Sequence, residues 1–355
     1  MARRILIIGP SWVGDMVMAQ ALFVQLAHQY PDVAIDVLAP AWTRPLLARM
    51  PQVRRGLDLP LSHGELGLRK RWRLGRMLAA EGYHQVIVLP NSWKSALVPW
   101  FADIPLRTGW RGEMRYGLLN DARVLDKKRL PLMVQRFVAL ALPADAVLPD
   151  ALPDPMPVPQ LLAEPGGVQM ACEALGLDVE SRILALCPGA EFGDSKQWPA
   201  EHYATVAREY LAKGWQVWLF GSAKDRGVTD QIAALANVSD AQHSGCVNLA
   251  GRTSLAQAID LLSLAHAVVS NDSGLMHIAA ALHKPLVAVY GSTSPEFTPP
   301  LTNQVELLHT DIECRPCFQR VCPLQHKRCL TELFPERVLA ALDRLQNPLV
   351  ASTAL

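Results

Sequence analysis

The stretch that decides the fold reads Ala267-Val268-Val269-Ser270-Asn271-Asp272-Ser273-Gly274-Leu275-Met276-His277. A short apolar segment, typical of a buried strand, runs into a polar turn and then directly into a helical pattern. The free N–H groups and the dipole at such a helix start favour an anion. The stretch therefore predicts a strand-turn-helix unit with an anion-binding turn.

The side chains of this turn suit different partners. Ser273 adds a hydroxyl group, Gly274 lets a ligand approach the backbone closely, and His277 lies in the first turn of the helix. The carboxylate of Asp272 suits a sugar hydroxyl better than a phosphate. An ordinary helix cap, with Asp272 or Ser273 as the capping residue and His277 uninvolved, is the alternative interpretation.

The same strand-and-helix rhythm runs through both halves of the chain. Apolar strands separated by amphipathic helices predict parallel sheets covered on both faces, and therefore an α/β fold of two doubly wound halves with a cleft between them. Ligands of such sheets bind at the carboxyl ends of the strands. The predicted strands cover residues 4–9, 33–38, 85–89, 182–187, 215–220, 267–270 and 286–290. The predicted helices cover residues 16–28, 199–213 and 275–282, and another begins after Ser254.

A proline-rich segment separates the two halves. Seven prolines fall within residues 143–165, and because proline lacks an N–H and fixes φ, we expect neither a helix nor a central strand there. We interpret the segment as a linker, with a surface loop of one domain as the alternative. The predicted domains are 1–160 and 161–334. Residues 335–355 are expected to form a C-terminal helix and tail that pack back on the first domain.

The overall composition excludes several classes of protein. Half of the residues are hydrophobic and 19% are charged, which is typical of a globular protein. A net charge of +1 gives no global case for nucleic-acid binding. No apolar run reaches the ~18 residues of a membrane span, and the apolar stretch 5–8 ends too early for a signal peptide. We therefore expect a cytoplasmic protein.

A second loop, residues 187–199, also joins a strand end to a helix start, with Pro199 at a favoured first helical position. Lys196 is the only cation of this loop. A fixed ammonium there stabilises an anionic leaving group in a transition state. A solvated loop lysine is the alternative.

Two weaker loops follow other predicted strands. Ser222 lies in the first, where it is a candidate for nucleoside contacts, and Thr253 and Ser254 lie in the second, where they are candidates for lining a base pocket. Ordinary loop residues are the alternative for all three, and Ser254 is also placed to cap a helix.

The first predicted strand leads to a candidate general base. The loop Gly9-Pro10-Ser11-Trp12-Val13-Gly14-Asp15 lacks the G-x-G-x-x-G pattern of a dinucleotide site. Asp15 lies at the start of a helix, and its carboxylate can accept a proton from an attacking hydroxyl. The alternative is that Asp15 only caps the helix.

Three motifs together resemble one family. Gly14-Asp15, the stretch from Pro188-Gly189 through Lys196-Gln197-Trp198-Pro199, and Asn271 to His277 are similar to motifs of the family-9 glycosyltransferases, the lipopolysaccharide heptosyltransferases. They span nearly the whole chain in the expected order. Residues 9–16 and 314–324 look most like the type II members of the family.

The resemblance implies a GT-B fold, two Rossmann-like domains facing each other across a cleft. It implies transfer of L-glycero-D-manno-heptose from ADP-heptose, a substrate rather than a cofactor, to the first heptose of the inner core on Kdo2-lipid A, with inversion. Asp15 is then the general base, Lys196 holds the diphosphate and Asp272 contacts the heptose. Ser273, Gly274 and His277 complete the donor site.

The resemblance has one departure and leaves alternatives open. Glu191-Phe192 stands where type I members have hydroxyl residues, so those donor contacts are not carried over. The absence of a D-x-D triplet agrees with metal-independent transfer. A type I or type III heptosyltransferase, a nucleotide-sugar epimerase of GT-B-like fold, and a non-catalytic lipid-binding scaffold are the other candidates.

A basic cluster marks the expected acceptor side. The acceptor implied is heptosyl-Kdo2-lipid A, an anionic lipid on the cytoplasmic face of the inner membrane, and we expect peripheral attachment there. The acceptor-binding candidates are Arg69, Arg71 and Arg73, with Lys70 and Arg76 beside them; a solvated helix face is the alternative. For Trp93, Trp100 and Phe101 we favour core packing over membrane contact.

Four of the seven cysteines cluster as C-x2-C-x4-C-x6-C, at Cys314, Cys317, Cys322 and Cys329. In a reducing compartment they are thiols or metal ligands rather than disulfides. Four thiolates can bind zinc, but this spacing is not that of a common zinc module. We therefore predict no metal in the site and keep a structural ion as the alternative.

Overall fold

The computed structural model describes residues 3–61, 64–237 and 245–347. The chain divides into two compact units, residues 1–162 and 163–355, and the division falls within the proline-rich segment. Within residues 143–164 that segment forms neither helix nor strand, and a helix begins at Pro165.

The first unit is built on a six-stranded parallel sheet with the order β3-β2-β1-β4-β5-β6. Its centre is apolar because β1 lies between two buried strands: Ile7 pairs with Val37 on one side and Ile87 on the other. The strands are β1 (Arg4–Ile8), β2 (Ala34–Ala39), β3 (Val53–Asp58), β4 (Gln85–Val88), β5 (Leu106–Trp110) and β6 (Asp121–Arg123). The helices are α1 (Val13–Gln29), α2 (Arg44–Leu47), α3 (Leu68–Leu78), α4 (Leu97–Phe101) and α5 (Met133–Val138).

The second unit repeats this topology, with the strand order β12-β11-β10-β7-β8-β9. Its central strands β7 and β10 pair with Ser270 opposite Cys187, so the chain leaves both strands at neighbouring points. The strands are β7 (Ile183–Cys187), β8 (Gln216–Leu219), β9 (Cys246–Asn248), β10 (Ala267–Asn271), β11 (Leu286–Val289) and β12 (Val305–Leu308). The helices are α6 (Pro165–Leu175), α7 (Ala200–Ala212), α8 (Arg226–Ala236), α9 (Leu255–Leu262), α10 (Gly274–Ala281), α11 (Arg328–Thr331) and α12 (Pro335–Gln346).

The topology of each sheet fixes where a ligand can bind. Both sheets have the doubly wound order, in which the chain turns in opposite directions from two adjacent central strands. The crevice outside the carboxyl ends of those strands is the usual ligand site of such a sheet. The pairs in question are β1 with β4 and β7 with β10.

The C-terminal helix belongs to the second unit. Helix α12 packs against α7 and β12, and its residues Val338, Ala341 and Leu342 are fully buried in that unit's apolar core. The sequence-based expectation that this helix packs on the first domain differs from the structure, which places it in the second unit. Residues 348–355 of the expected tail lie outside the described residues.

No helix among the described residues is both long enough and apolar enough to cross a membrane.

Candidate functional site

The turn after β10 leads directly into α10. Ser273 is the residue before the first turn, with extended backbone, and its side chain makes no capping hydrogen bond. Its hydroxyl lies 3.3 Å from the hydroxyl of Ser270 instead. The helix start predicted from the sequence is therefore present, and Gly274 is its first residue.

Lys196 and Asp272 form an ion pair at this helix start. The Lys196 Nζ donates to Asp272 Oδ2 at 2.6 Å, and the two side chains are 13% and 5% exposed. Thr293 donates its hydroxyl to the same oxygen at 2.6 Å. Sequence reasoning selected Lys196 and Asp272 for separate roles and missed both their pairing and Thr293. The adjacency of β7 and β10 is the signal that places the two residues together.

Asn271 fastens the Lys196 loop to β10. Its amide nitrogen donates to the Pro188 carbonyl at 2.6 Å, while its side-chain oxygen accepts from the Trp198 N–H at 3.2 Å and the Tyr203 hydroxyl at 3.0 Å. Trp198 is itself buried and donates its indole N–H to the Leu333 carbonyl at 2.8 Å. These bonds hold both ends of the loop, so the position of Lys196 is set by the core beneath it.

His277 is a buried, neutral imidazole beside the ion pair. Burial lowers the pKa of His277 to about 4; the Asp272 carboxylate opposes this shift, and the Lys196 ammonium adds to it. At neutral pH the ring therefore carries no charge and can both donate and accept one hydrogen bond.

The hydroxyls of Ser222 and Ser254 are used locally. The backbone N–H and the hydroxyl of Ser222 both donate to Asp225 Oδ2 at 2.8 Å. Ser254 caps α9, accepting from the Gln257 N–H at 3.3 Å. Thr253 is half-buried beside it. The capping alternative for Ser254 is therefore what the structure contains, and donor contacts of all three residues stay a prediction.

Asp15 lies in the first turn of α1 and is half-buried. The helix begins at Val13, three residues earlier than predicted, and Trp12 occupies the N-cap position. Asp15 is therefore the third helical residue and not the capping residue. The start of α1 follows the carboxyl end of β1, so the structure places Asp15 in the region where the sequence predicts a base.

A cavity of about 280 Å³ lies at the carboxyl ends of β1, β2 and β4 in the first unit. Its polar lining includes Lys94 and Glu65, which sequence reasoning missed because both lie outside a recognised motif. A pocket of this size at a switch point is large enough for a sugar-sized ligand. The lining residues are Ile8, Gly9, Ser11, Leu38, Pro40, Trp42, Leu59, Leu61, Gly64, Glu65, Arg71, Pro90, Ser92, Lys94, Ser95 and Val98.

The basic side chains of α3 do not all lie on the same face of the helix. Arg69 and Arg73 are exposed, whereas Arg71 is only 5% exposed. Arg71 donates to the carbonyls of Leu66 at 2.6 Å, Lys94 at 3.0 Å and Glu65 at 3.3 Å. Arg71 therefore holds the wall of the cavity that it lines, and acceptor binding by the three arginines stays a prediction.

Two tryptophans differ from the sequence-based interpretation. Trp93 is 40% exposed and Trp100 is 48% exposed, so core packing is wrong for both rings. Phe101 is half-buried, with its ring centroid 5.1 Å from that of Trp100.

The cysteine cluster consists of free thiols. All four line a small cavity of about 20 Å³ together with Ser195 and Ser292, directly behind the Lys196 loop. Within the described ranges, no three His, Cys, Asp or Glu side chains form a ready metal-binding group.

The protein is therefore an α/β protein with two doubly wound sheets. In the second unit, a lysine–aspartate ion pair lies at the start of a helix. The chain belongs to the glycosyltransferase family 9 (heptosyltransferase), which it matches over residues 71–328. The family predicted from the sequence motifs is therefore confirmed.

Within that family the chain is similar to type II enzymes. It is 49% identical over 343 residues to lipopolysaccharide heptosyltransferase 2 of Salmonella typhimurium and 48% identical over 343 residues to that of Escherichia coli, in each case covering 96% of this chain and 98% of the relative. The solved structure of Escherichia coli ADP-heptose lipopolysaccharide heptosyltransferase II matches with a TM-score of 0.87 and 47% identity, over 96% of this chain and 98% of that one. The GT-B-like fold predicted from the resemblance is confirmed.

Proposed function

We propose that this chain is an ADP-heptose:lipopolysaccharide heptosyltransferase of type II. It transfers L-glycero-D-manno-heptose from ADP-heptose to the first heptose of the inner core, with heptosyl-Kdo2-lipid A as acceptor. The observation that carries the proposal is the Lys196–Asp272 pair at the start of α10, in a chain nearly half identical to heptosyltransferases 2 over almost its full length.

The second unit takes the donor in this proposal. The N–H groups at the start of α10 and the Lys196 ammonium bind the diphosphate, because both favour negative charge. The negative charge of the departing ADP grows as the glycosidic bond breaks, so a fixed ammonium lowers the barrier. The Asp272 carboxylate holds Lys196 in place and accepts hydrogen bonds from heptose hydroxyls. The neutral His277, with Ser273 and Gly274, completes this site.

The first unit takes the acceptor. The Asp15 carboxylate removes the proton of the attacking heptose hydroxyl, which makes the oxygen a better nucleophile. Attack from the face opposite to ADP inverts the anomeric carbon. The exposed Arg69 and Arg73 bind acidic groups of the acceptor, and the cavity beside them receives a sugar.

We propose peripheral attachment to the cytoplasmic face of the inner membrane, where an anionic lipid acceptor is presented. The exposed face of α3 supports it, because Trp72 is 51% exposed and Met77 is 72% exposed on the same helix as exposed arginines. Apolar and basic side chains on one surface bind anionic lipid together.

The test is turnover of ADP-heptose with two acceptors, Kdo2-lipid A and its mono-heptosylated form. The type II assignment predicts ADP release with the mono-heptosylated acceptor only. Release with unheptosylated Kdo2-lipid A would instead indicate a type I enzyme. Conversion of ADP-heptose without any acceptor would indicate an epimerase, and lipid binding without ADP affinity would indicate a scaffold.

A further inference from the structure

The loop that carries Lys196 rests on a second segment of the chain, residues 314–327, which we term the clasp. Ser195 donates its hydroxyl to the Gln319 carbonyl, and its N–H lies 3.3 Å from the Arg320 carbonyl that accepts it. Lys327 forms an ion pair with Asp194 at 2.6 Å. The clasp therefore contacts both residues that precede Lys196.

The clasp also holds the loop after β11 through Arg315. The half-buried Arg315 donates Nε to the Gly291 carbonyl at 2.9 Å and Nη2 to the Thr293 carbonyl at 3.0 Å. A planar guanidinium can serve two carbonyls two residues apart at once, whereas an ammonium lacks this fixed fork. Arg315 therefore fixes the backbone on both sides of Ser292.

Thr293 links Arg315 to the ion pair. Thr293 accepts a hydrogen bond from Arg315 at its carbonyl and donates its own hydroxyl to Asp272 Oδ2. The same carboxylate oxygen accepts a hydrogen bond from Lys196. The loop has little room to move, because a Cβ atom on Gly291 would lie 2.6 Å from the Ser195 carbonyl oxygen. A contiguous series of contacts thus runs from Arg315 through Thr293 to the Asp272 carboxylate.

We propose that Arg315 is a positioning residue for the donor site, acting through Thr293 to orient the Asp272–Lys196 pair. The inference rests on the proposed function, since it assigns the pair to binding of a nucleoside diphosphate. It adds to the proposed donor site a residue whose hydrogen bonds go to the carbonyls of Gly291 and Thr293.

The experiment measures ADP affinity by calorimetry and the KM values of both substrates for Arg315→Lys and Arg315→Ala. We expect the Kd for ADP to rise about tenfold in both variants, which corresponds to about 1.4 kcal/mol, with the acceptor KM unchanged. The matched control is Arg328→Ala, whose exposed guanidinium bonds to Glu332 within the next turn of helix; it should leave both constants unchanged.

A double-mutant cycle with Thr293→Val separates positioning from general support of the fold. If Arg315 acts through Thr293, Arg315→Ala in the Thr293→Val background adds nothing further to the Kd for ADP. Fully additive effects would overturn the inference, as would a lowered thermal midpoint with an unchanged Kd in either Arg315 variant. Absence of ADP affinity in the unaltered protein would instead sink the proposed function.

Discussion

Lys196 and Asp272 are 76 positions apart in the chain, yet their side chains meet at 2.6 Å with little exposure to water. Removing two charges from water is costly, and the cost is offset only where the groups are paired and hydrogen-bonded. Thr293 supplies the additional bond. The sequence allowed each charged residue to be selected, because each follows a central strand, but the pairing depends on strand order, which no local pattern contains.

Replacement of Asp15 by Asn tests whether Asp15 is the general base. The amide keeps the size of the side chain but cannot take a proton, so we expect kcat to fall roughly a thousandfold. Donor binding should be spared, because Asp15 lies in the other unit. ADP release and calorimetry with ADP measure the two quantities.

The control is Asp32→Asn, an exposed carboxylate of the same unit, which should retain full turnover. Undiminished kcat in Asp15→Asn would reject the base assignment.

The buried His277 predicts a dependence of stability on pH. Its pKa is about 4 in the folded protein against 6.5 for an ordinary histidine, so the unfolded chain binds the proton more readily. The stabilisation from the neutral ring is complete above pH 6.5 and is lost as the pH falls from 6.5 towards 4. The magnitude is on the order of 3 kcal/mol.

Urea unfolding of the unaltered protein and of His277→Asn between pH 7.5 and 4.5 measures this contribution. The loss of unfolding free energy on acidification should be smaller in the variant. His28→Asn, which changes an exposed ring, should behave like the unaltered protein. Equal acid sensitivity in all three proteins would contradict the assignment.

Among the elements, the strands at the centre of each sheet were predictable from the sequence, whereas the four edge strands and the interior strand β5 were not. β1, β7 and β10 each contain an uninterrupted apolar run and are almost entirely buried, because they are covered on both faces. β3 and β6, at the edges of the first sheet, carry Arg and Asp side chains and are largely half-buried or exposed. An edge strand pairs on one side only, so its composition does not separate it from a loop.

The exposed arginines of helix α3 lead to a prediction about acceptor binding. Arg69→Ser with Arg73→Ser should raise the acceptor KM several-fold and leave the ADP-heptose KM unchanged, because both side chains are exposed and point away from the core. Steady-state kinetics with each substrate varied in turn is the measurement.

Arg71→Ala should behave differently and lower the thermal midpoint, because three carbonyls lose their donor. The interpretation of α3 fails if the double serine variant has an unchanged acceptor KM.

For the whole molecule, the two units carry the same strand order and separate cores. We expect ADP to slow amide hydrogen exchange most at residues 188–198, 271–277 and 291–294, the loops around the ion pair. Exchange mass spectrometry with and without ADP is the measurement. If the strongest protection instead fell within residues 3–61, the nucleotide would bind the first unit and the assignment of the donor to the second unit would be wrong.

The repeated strand order has a consequence for how such enzymes diversify. Each unit has an apolar core of its own, because each sheet buries apolar side chains from the same unit. If the first unit binds the acceptor and the second binds the nucleotide, as proposed, a substitution that changes the choice of acceptor leaves the core beneath the nucleotide site undisturbed.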